Sequence, residues 1–370
     1  MTSVPYHEDN KSGLKREDFI SSVQGKKTDL YILKNPLGME VAVTNYGCAV
    51  LSIMVPDKNG DYANVVQSHD SIEHVINSPE PFLGTTIGRY GNRIAKGKFI
   101  LSGIEHQLTP TNRACTLHGG PAGFHTKVWD VLSADESTIH FRYVSEDGEE
   151  GFPGRLTILM SYHVNEDYNA FEISYCATTD KETALNLTNH GFFNLAGVGN
   201  PTPSILDHIV TINADHYLPI DEDSIPTGEI LKVEGTPMDF RTPHSVGERI
   251  NEPFWQLKNG TGYDHCYVLN KKEVGELSIA ATCIEPVSGR AMTVETTEPG
   301  VQLYTGNWLN GFTGAHGATF PARSAICFEA QHFPDSPNRP YFPSTILKPG
   351  EEYRQLTVYG FSVVQEDTQQ

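Results

Sequence analysis

The sequence predicts an all-β protein, a sandwich or barrel of many short antiparallel strands. Three observations lead there: apolar and polar residues alternate in short runs, turn residues separate the runs, and convincing amphipathic helices are scarce. No alternation of strand and helix patterns appears, which excludes doubly wound and TIM-barrel folds. Short strands at close spacing lead instead to a sandwich or a closed barrel.

Taken in chain order, residues 1–16 read as a polar, weakly ordered tail. Residues 17–370 contain no linker, internal repeat or low-complexity tract and read as one domain. Strands are expected at Glu40–Thr44, Thr138–Val144, Phe171–Ala177, Met292–Thr296 and Leu356–Val364. The clearest alternation places Leu156, Ile158, Met160, Tyr162 and Val164 on one face and Thr157, Leu159, Ser161 and His163 on the other, with Leu159 out of pattern. Ser71–Asn77 fits one or two helical turns. Asn59-Gly60, Asp147-Gly148, Ser288-Gly289, Pro299-Gly300 and Pro349-Gly350 read as turns, because glycine reaches positive φ cheaply and proline presets the bend.

Composition narrows the function. The chain of 370 residues carries 46 acidic and 27 basic residues, a formal charge of −19. That balance argues against a nucleic-acid partner, which needs a basic face. No apolar run approaches the roughly 18 residues that span a bilayer, and the start MTSVPYHEDNKSGLKREDF has no apolar signal core. No membrane partner is expected. Six cysteines without a CxxC pair exclude zinc-ribbon and thioredoxin readings and fit reduced thiols in the cytoplasm.

Five segments carry candidate chemistry. NLTNHGFFNLAG places His190 between Asn189 and Asn194, which suit a polar ligand, and Phe192 and Phe193, which exclude water. Histidine exchanges protons near neutrality. GRYGNRIAKGKF carries Arg89, Asn92 and Arg93 among glycines that admit close backbone approach to a ligand. Its plainer reading is a tight turn with solvated arginines. LHGGPAGFHTKVW sets His118 before two glycines. GYDHCYVL places Asp264 after a turn, as a cap or as an acceptor for sugar hydroxyls. In AICFEAQHFPDSPNRPYFP, Ile326, Phe328 and Ala330 share one strand face while Cys327, Glu329 and Gln331 share the other. If that second face lines a pocket, Glu329 is a positioned base whose pKa burial raises and a neighbouring arginine lowers. HxH, HExxH, Walker and GxGxxG patterns are absent, so no metal and no cofactor is expected.

These segments, in this order, resemble the aldose 1-epimerases, or galactose mutarotases. DHYLPID with IPTG and the segment PGVQLYTGN extend the likeness from about Gly13 to Val364. The resemblance implies a large antiparallel β-sandwich of the galactose mutarotase type. It implies His190 as general acid and Glu329 as general base. It also implies Asn92, Arg93, His118, Asp264, Gln302 and Phe192 as sugar contacts. Phe192 stands where the family usually has tyrosine, and Gly91 where it often has alanine. The implied reaction opens the sugar ring by acid–base chemistry, with His190 and Glu329 facing each other across one pyranose. A hexose-6-phosphate epimerase, a non-catalytic sugar-binding module and, more weakly, a glycosidase using Glu329 and Asp264 are the alternatives. A monomer or weak dimer is expected.

Overall fold

The computed structural model describes residue 6 and residues 8–364. Part of the expected tail lies outside these residues. Where it is described, Leu14 is buried, Asn10 donates to its carbonyl (3.0 Å), and the Ser12 amide donates to Glu40 Oε1 (3.2 Å).

One sheet of nine antiparallel strands forms the first layer. Its order is Asp130–Ala134, Thr138–Ser145, Leu156–Val164, Ala170–Thr179, Tyr353–Val363, Arg290–Thr296, Ser278–Ile284, Ile209–Ile212 and His244–Ser245. Two smaller sheets lie against it. One runs Leu30–Lys34, Glu40–Thr44, Val50–Pro56, Tyr62–Asn64. The other runs Leu231–Lys232, His216–Tyr217, Asp264–Val268, Gly300–Tyr304, Cys327–Gln331.

A shared core makes these layers a sandwich. Phe141, Ile158, Ile173, Val294 and Tyr359 from the large sheet cluster with Val41, Val43 and Ile53 from one small sheet and with Val301, Leu303 and Phe328 from the other. Tyrosine hydroxyls tie the layers at their polar ends, Tyr162 to the Cys48 carbonyl (2.7 Å) and Tyr359 to the Phe328 carbonyl (3.0 Å). Full burial of one such side chain contributes about 1.5–3 kcal/mol. This interlayer packing therefore outweighs the helices, the longest of which have only five residues among those described.

The alternation read at Leu156–Val164 is the one observed. Leu156, Ile158, Met160, Tyr162 and Val164 are buried, and Leu159 faces out with its polar neighbours, 44% exposed. The short helix spans Ile72–Ile76, capped by the Ser71 hydroxyl, which accepts the His74 amide at 3.3 Å. Pro299-Gly300 differs from expectation: Gly300 opens the strand Gly300–Tyr304 instead of a positive-φ turn. Glycine serves there for closeness, since a Cβ would stand 2.9 Å from Cys266 Sγ. All six cysteines are free. No described helix is long and apolar enough to cross a membrane.

The two arginines of the glycine-rich turn divide their work. Arg89 is buried, not solvated. Its guanidinium donates to the carbonyls of Ser145, Glu146, Pro153 and Gly154 and to the hydroxyls of Ser145 and Thr183. It pins the loop that carries Arg93 to the end of the large sheet. Stranding several buried acceptors costs about 1–3 kcal/mol each, so Arg89→Met should lose on the order of 3 kcal/mol or more in urea unfolding. A change within about 0.5 kcal/mol, the size of an ordinary surface substitution, would contradict this role.

Candidate active site

The outer face of the five-stranded sheet supplies the carboxylates. Its register aligns Asp264 with Tyr304 and Tyr304 with Cys327, and the next row aligns Cys266 with Gln302 and Gln302 with Glu329. Period-two alternation turns all six toward one side, while Val301, Leu303, Phe328 and Ala330 enter the core. The face read for Glu329 from sequence is the observed one.

His190 approaches from the opposite wall. It follows the short strand Thr188–Asn189, which pairs with Thr86–Ile87. Its amide donates to the Thr85 carbonyl (3.0 Å) and its carbonyl accepts the Gly84 amide (2.9 Å). The imidazole Nε2 stands 3.5 Å from Glu329 Oε1, and both side chains are buried. They lie side by side, which corrects the expectation of two groups facing across a whole pyranose. The adjacency suits proton exchange with two oxygens bonded to one carbon.

His118 and Arg93 arrive together. The strands Arg93–Ala95 and Cys115–Leu117 pair, with Arg93 opposite Leu117. The His118 amide donates to the Asn92 carbonyl (3.0 Å), and the Asn92 amide donates back to His118 Nδ1 (3.1 Å). Both residues hold left-handed backbone, at φ 63 for Asn92 and φ 50 for His118. Such conformations persist in non-glycine residues where the surroundings impose them, often at functional sites. Gly119 makes the bend possible: at φ +83 a Cβ would lie 2.0 Å from the Gly88 carbonyl oxygen.

The Asn92 bond fixes the tautomer of His118. Nδ1 accepts, so neutral His118 carries its hydrogen on Nε2 and donates from there. Ligand-type atoms of His118, His190 and Glu329 lie within 4.8 Å of one another, a spacing that suits a cation. An Nε2 already holding hydrogen is a poor ligand, so the cluster is better matched to donating and accepting protons. Arg93 Nη2 lies 3.7 Å from Asp264 Oδ2, and Gln302 Nε2 donates to Asp264 Oδ1 at 2.7 Å. Glu329 Oε2 and Gln302 Oε1 are buried without a hydrogen-bond partner among the described residues. Each such atom costs free energy until a hydroxyl or water meets it.

Phe192, implied as a sugar contact, stands behind His190. It is fully buried, and its ring stacks on His190 at 4.7 Å and 11°. It backs the imidazole and fixes its plane. Asn189 and Asn194 spend their side-chain amides on protein: Asn189 donates to the Gly84 carbonyl, Asn194 to those of Pro203 and Ser324. Phe193 enters the main core. Tyr304, which sequence reasoning passed over, packs edge-on against His190 at 6.2 Å. Its place two residues after Gln302 was the available signal. Phe82 was also missed; its ring lies 4.6 Å from His118 and 6.0 Å from His190, nearly parallel to the latter.

Burial sets the proton affinities. Desolvation raises Glu329 well above the ordinary carboxylate range, Asp264 adds to the rise, and Arg93 opposes it. Desolvation pulls His190 down to about 3 and His118 well below its ordinary value. A groove of about 1140 Å³ lies elsewhere, on the outer face of the nine-stranded sheet beside Leu159, Ser174 and His332. It holds none of these groups, so chemistry and not volume identifies the site.

A model of the aldose 1-epimerase family matches residues 29–360. The chain belongs to the aldose 1-epimerase family. It is 42% identical to bovine galactose mutarotase over 328 residues, covering 88% of this chain and 92% of that one. It is 35% identical to the aldose 1-epimerase of Escherichia coli K12 over 339 residues, covering 91% and 96%. Among solved structures it is similar to an aldose epimerase homologue from C. elegans, with TM-score 0.83, 28% identity and coverage of 91% and 100%. It is likewise similar to galactose 1-epimerase from Lactobacillus acidophilus, with TM-score 0.81, 28% identity and coverage of 93% and 97%. This epimerase fold thus presents its polar cluster on a sheet whose other face is core.

Buried histidines make stability depend on pH. Besides His118, burial lowers His69, His125 and His208 to about 4, and His190 and His265 to about 3, from an ordinary 6.5. Below pH 6.5 the unfolded chain therefore binds more protons than the folded one at these six histidines, which outnumber the raised Glu80, Glu329 and His332, and stability falls as pH falls. The melting temperature at pH 5 should lie below that at pH 7.5; an equal or higher value at pH 5 would refute the assignment.

Proposed function

We propose that this protein interconverts the α and β anomers of a free aldohexose such as galactose or glucose, with His190 and Glu329 exchanging the protons. The 3.5 Å contact between Nε2 and Oε1 carries this reading. Burial leaves the resting pair with its one proton on Glu329. Transfer of that proton to His190 gives a carboxylate beside an imidazolium, two partners that stabilise each other, and the pair titrates as a unit. The carboxylate then takes the proton of the anomeric hydroxyl while the imidazolium protonates the ring oxygen. The bond from the anomeric carbon to the ring oxygen breaks and leaves an open aldehyde. Rotation about the first carbon–carbon bond presents the other face. On closure the former ring hydroxyl returns its proton to His190, and Glu329 gives its proton to the aldehyde oxygen. His118 Nε2–H and Arg93 stabilise the charge that develops on oxygen.

Asp264, Gln302 and Arg93 suit the remaining hydroxyls, and Asn92 acts through His118. Phe192 acts as the backing of His190. A phosphorylated sugar fits less well. Arg93 is matched against Asp264, and the charges of Asp264 and Glu80 are both felt at Glu329. A phosphate dianion needs a cationic pocket, and this one is net acidic. The continuous core supports residues 17–370 as one domain. A net charge of −19 supports a monomer or weak dimer, and six free cysteines support a cytoplasmic location.

Polarimetry of freshly dissolved α-D-glucose and α-D-galactose tests this. Glu329→Gln and His190→Ala should each lose on the order of 10²–10⁴ in kcat. Glu329→Gln should melt no lower than the wild type at pH 7. A raised folded pKa means the carboxyl's contribution to stability declines as pH rises above its ordinary 4.5, and glutamine escapes that decline. Full activity in either variant would overturn the roles, and faster turnover of glucose 6-phosphate than of glucose would favour the phosphorylated substrate.

A further inference from the structure

The strap Ser78-Pro79-Glu80-Pro81-Phe82-Leu83-Gly84 closes one side of the site. Prolines on both sides of Glu80 restrict its backbone. The Ser78 hydroxyl donates to the Glu80 carbonyl (2.7 Å), accepts its amide (3.2 Å), and contacts His69 Nε2 (2.8 Å). At the other end Gly84 donates to the His190 carbonyl, so strap and histidine keep one register. Between these anchors Phe82 packs on the rings of His118 and His125, at 4.6 and 4.8 Å.

Glu80 sits at the base of that ring. Its Oε1 accepts the Phe82 amide at 3.3 Å, a long bond for a carboxylate. Among the described residues it forms no ion pair, although it is partly buried. A partly buried carboxylate with one weak donor is short of hydrogen bonds, and sugar hydroxyls are donors. We propose that Glu80 is a substrate contact that receives a hydroxyl of the bound sugar and so helps set which hexose the site accepts. The assignment rests on the anomer-exchange reading above. Burial lifts Glu80 to about 7, with the Phe82 amide opposing the rise. Its charge is felt at Tyr304, Cys327 and Glu329, three residues of the catalytic face.

Glu80→Gln keeps an acceptor for the Phe82 amide and removes the charge. Losing one hydrogen bond to a charged group predicts a rise in KM of roughly tenfold for the better hexose, with kcat changed less than about threefold. The ratio of kcat/KM for glucose and galactose should shift. Wild-type KM should fall between pH 6 and 8 as the carboxylate forms, and the Glu80→Gln profile should be flat there. Glu329, Asp264, Arg93, Tyr304, Cys327, His69, His118, His125 and His190 are common to both proteins, so the difference between the profiles reports Glu80. Unchanged KM, ratio and pH profile in Glu80→Gln, or kcat, KM and melting temperature falling together, would overturn the assignment. Should Glu80→Ala fail to fold, Glu80→Gln still decides. A wild type without rate acceleration overturns the anomer-exchange reading; an active wild type indistinguishable from Glu80→Gln overturns only the role of Glu80.

Discussion

The buried contact between His190 and Glu329 is the constraint around which the site is organised. Neither group is comfortable charged inside a protein, and burial pushes their proton affinities in opposite senses. Together they form a pair for which one shared proton is the natural occupancy. Ring opening in effect moves that proton from His190 to Glu329, and ring closure moves it back. The desolvation that makes the site costly to fold is therefore also what makes it able to exchange protons.

The sandwich meets this cost by holding each partner from a different direction. Glu329 stands on a strand whose opposite face is Phe328 and Ala330 in the core, so it cannot turn away without breaking the layer. His190 is clamped by its own backbone to Gly84 and Thr85 and backed by Phe192. His118 is fixed in one tautomer by Asn92, at a bend that Gly119 alone can follow. Arg89 stiffens the base of the same loop from beneath. Each of these devices spends a polar or strained residue on position, which is how a rigid site is made from loops on a sheet.

Much of this was legible in the chain. Period-two alternation located Leu156–Val164 and gave the side of the strand on which Glu329 lies, because that signal depends only on neighbours. The short helix within Ser71–Asn77 was legible for the same reason. What local pattern cannot carry is the use made of a side chain by distant groups. Arg89 and Arg93 sit four residues apart in one glycine-rich turn, and only the fold separates the structural guanidinium from the one in the site. Asn194 and Phe192 looked like ligand contacts because their partners, Ser324 and His190's far face, were invisible. Glu80 carries no local pattern that marks it, and only the fold brings its strap against the imidazoles.

The most direct test of the central claim is the double-mutant cycle of His190→Ala and Glu329→Gln on kcat for anomer exchange. Residues that act as one unit are strongly non-additive. The pair should therefore lose no more than about threefold beyond the worse single variant. Losses that multiply, as they do for independent sites, would show that the two groups do not share a proton or a step.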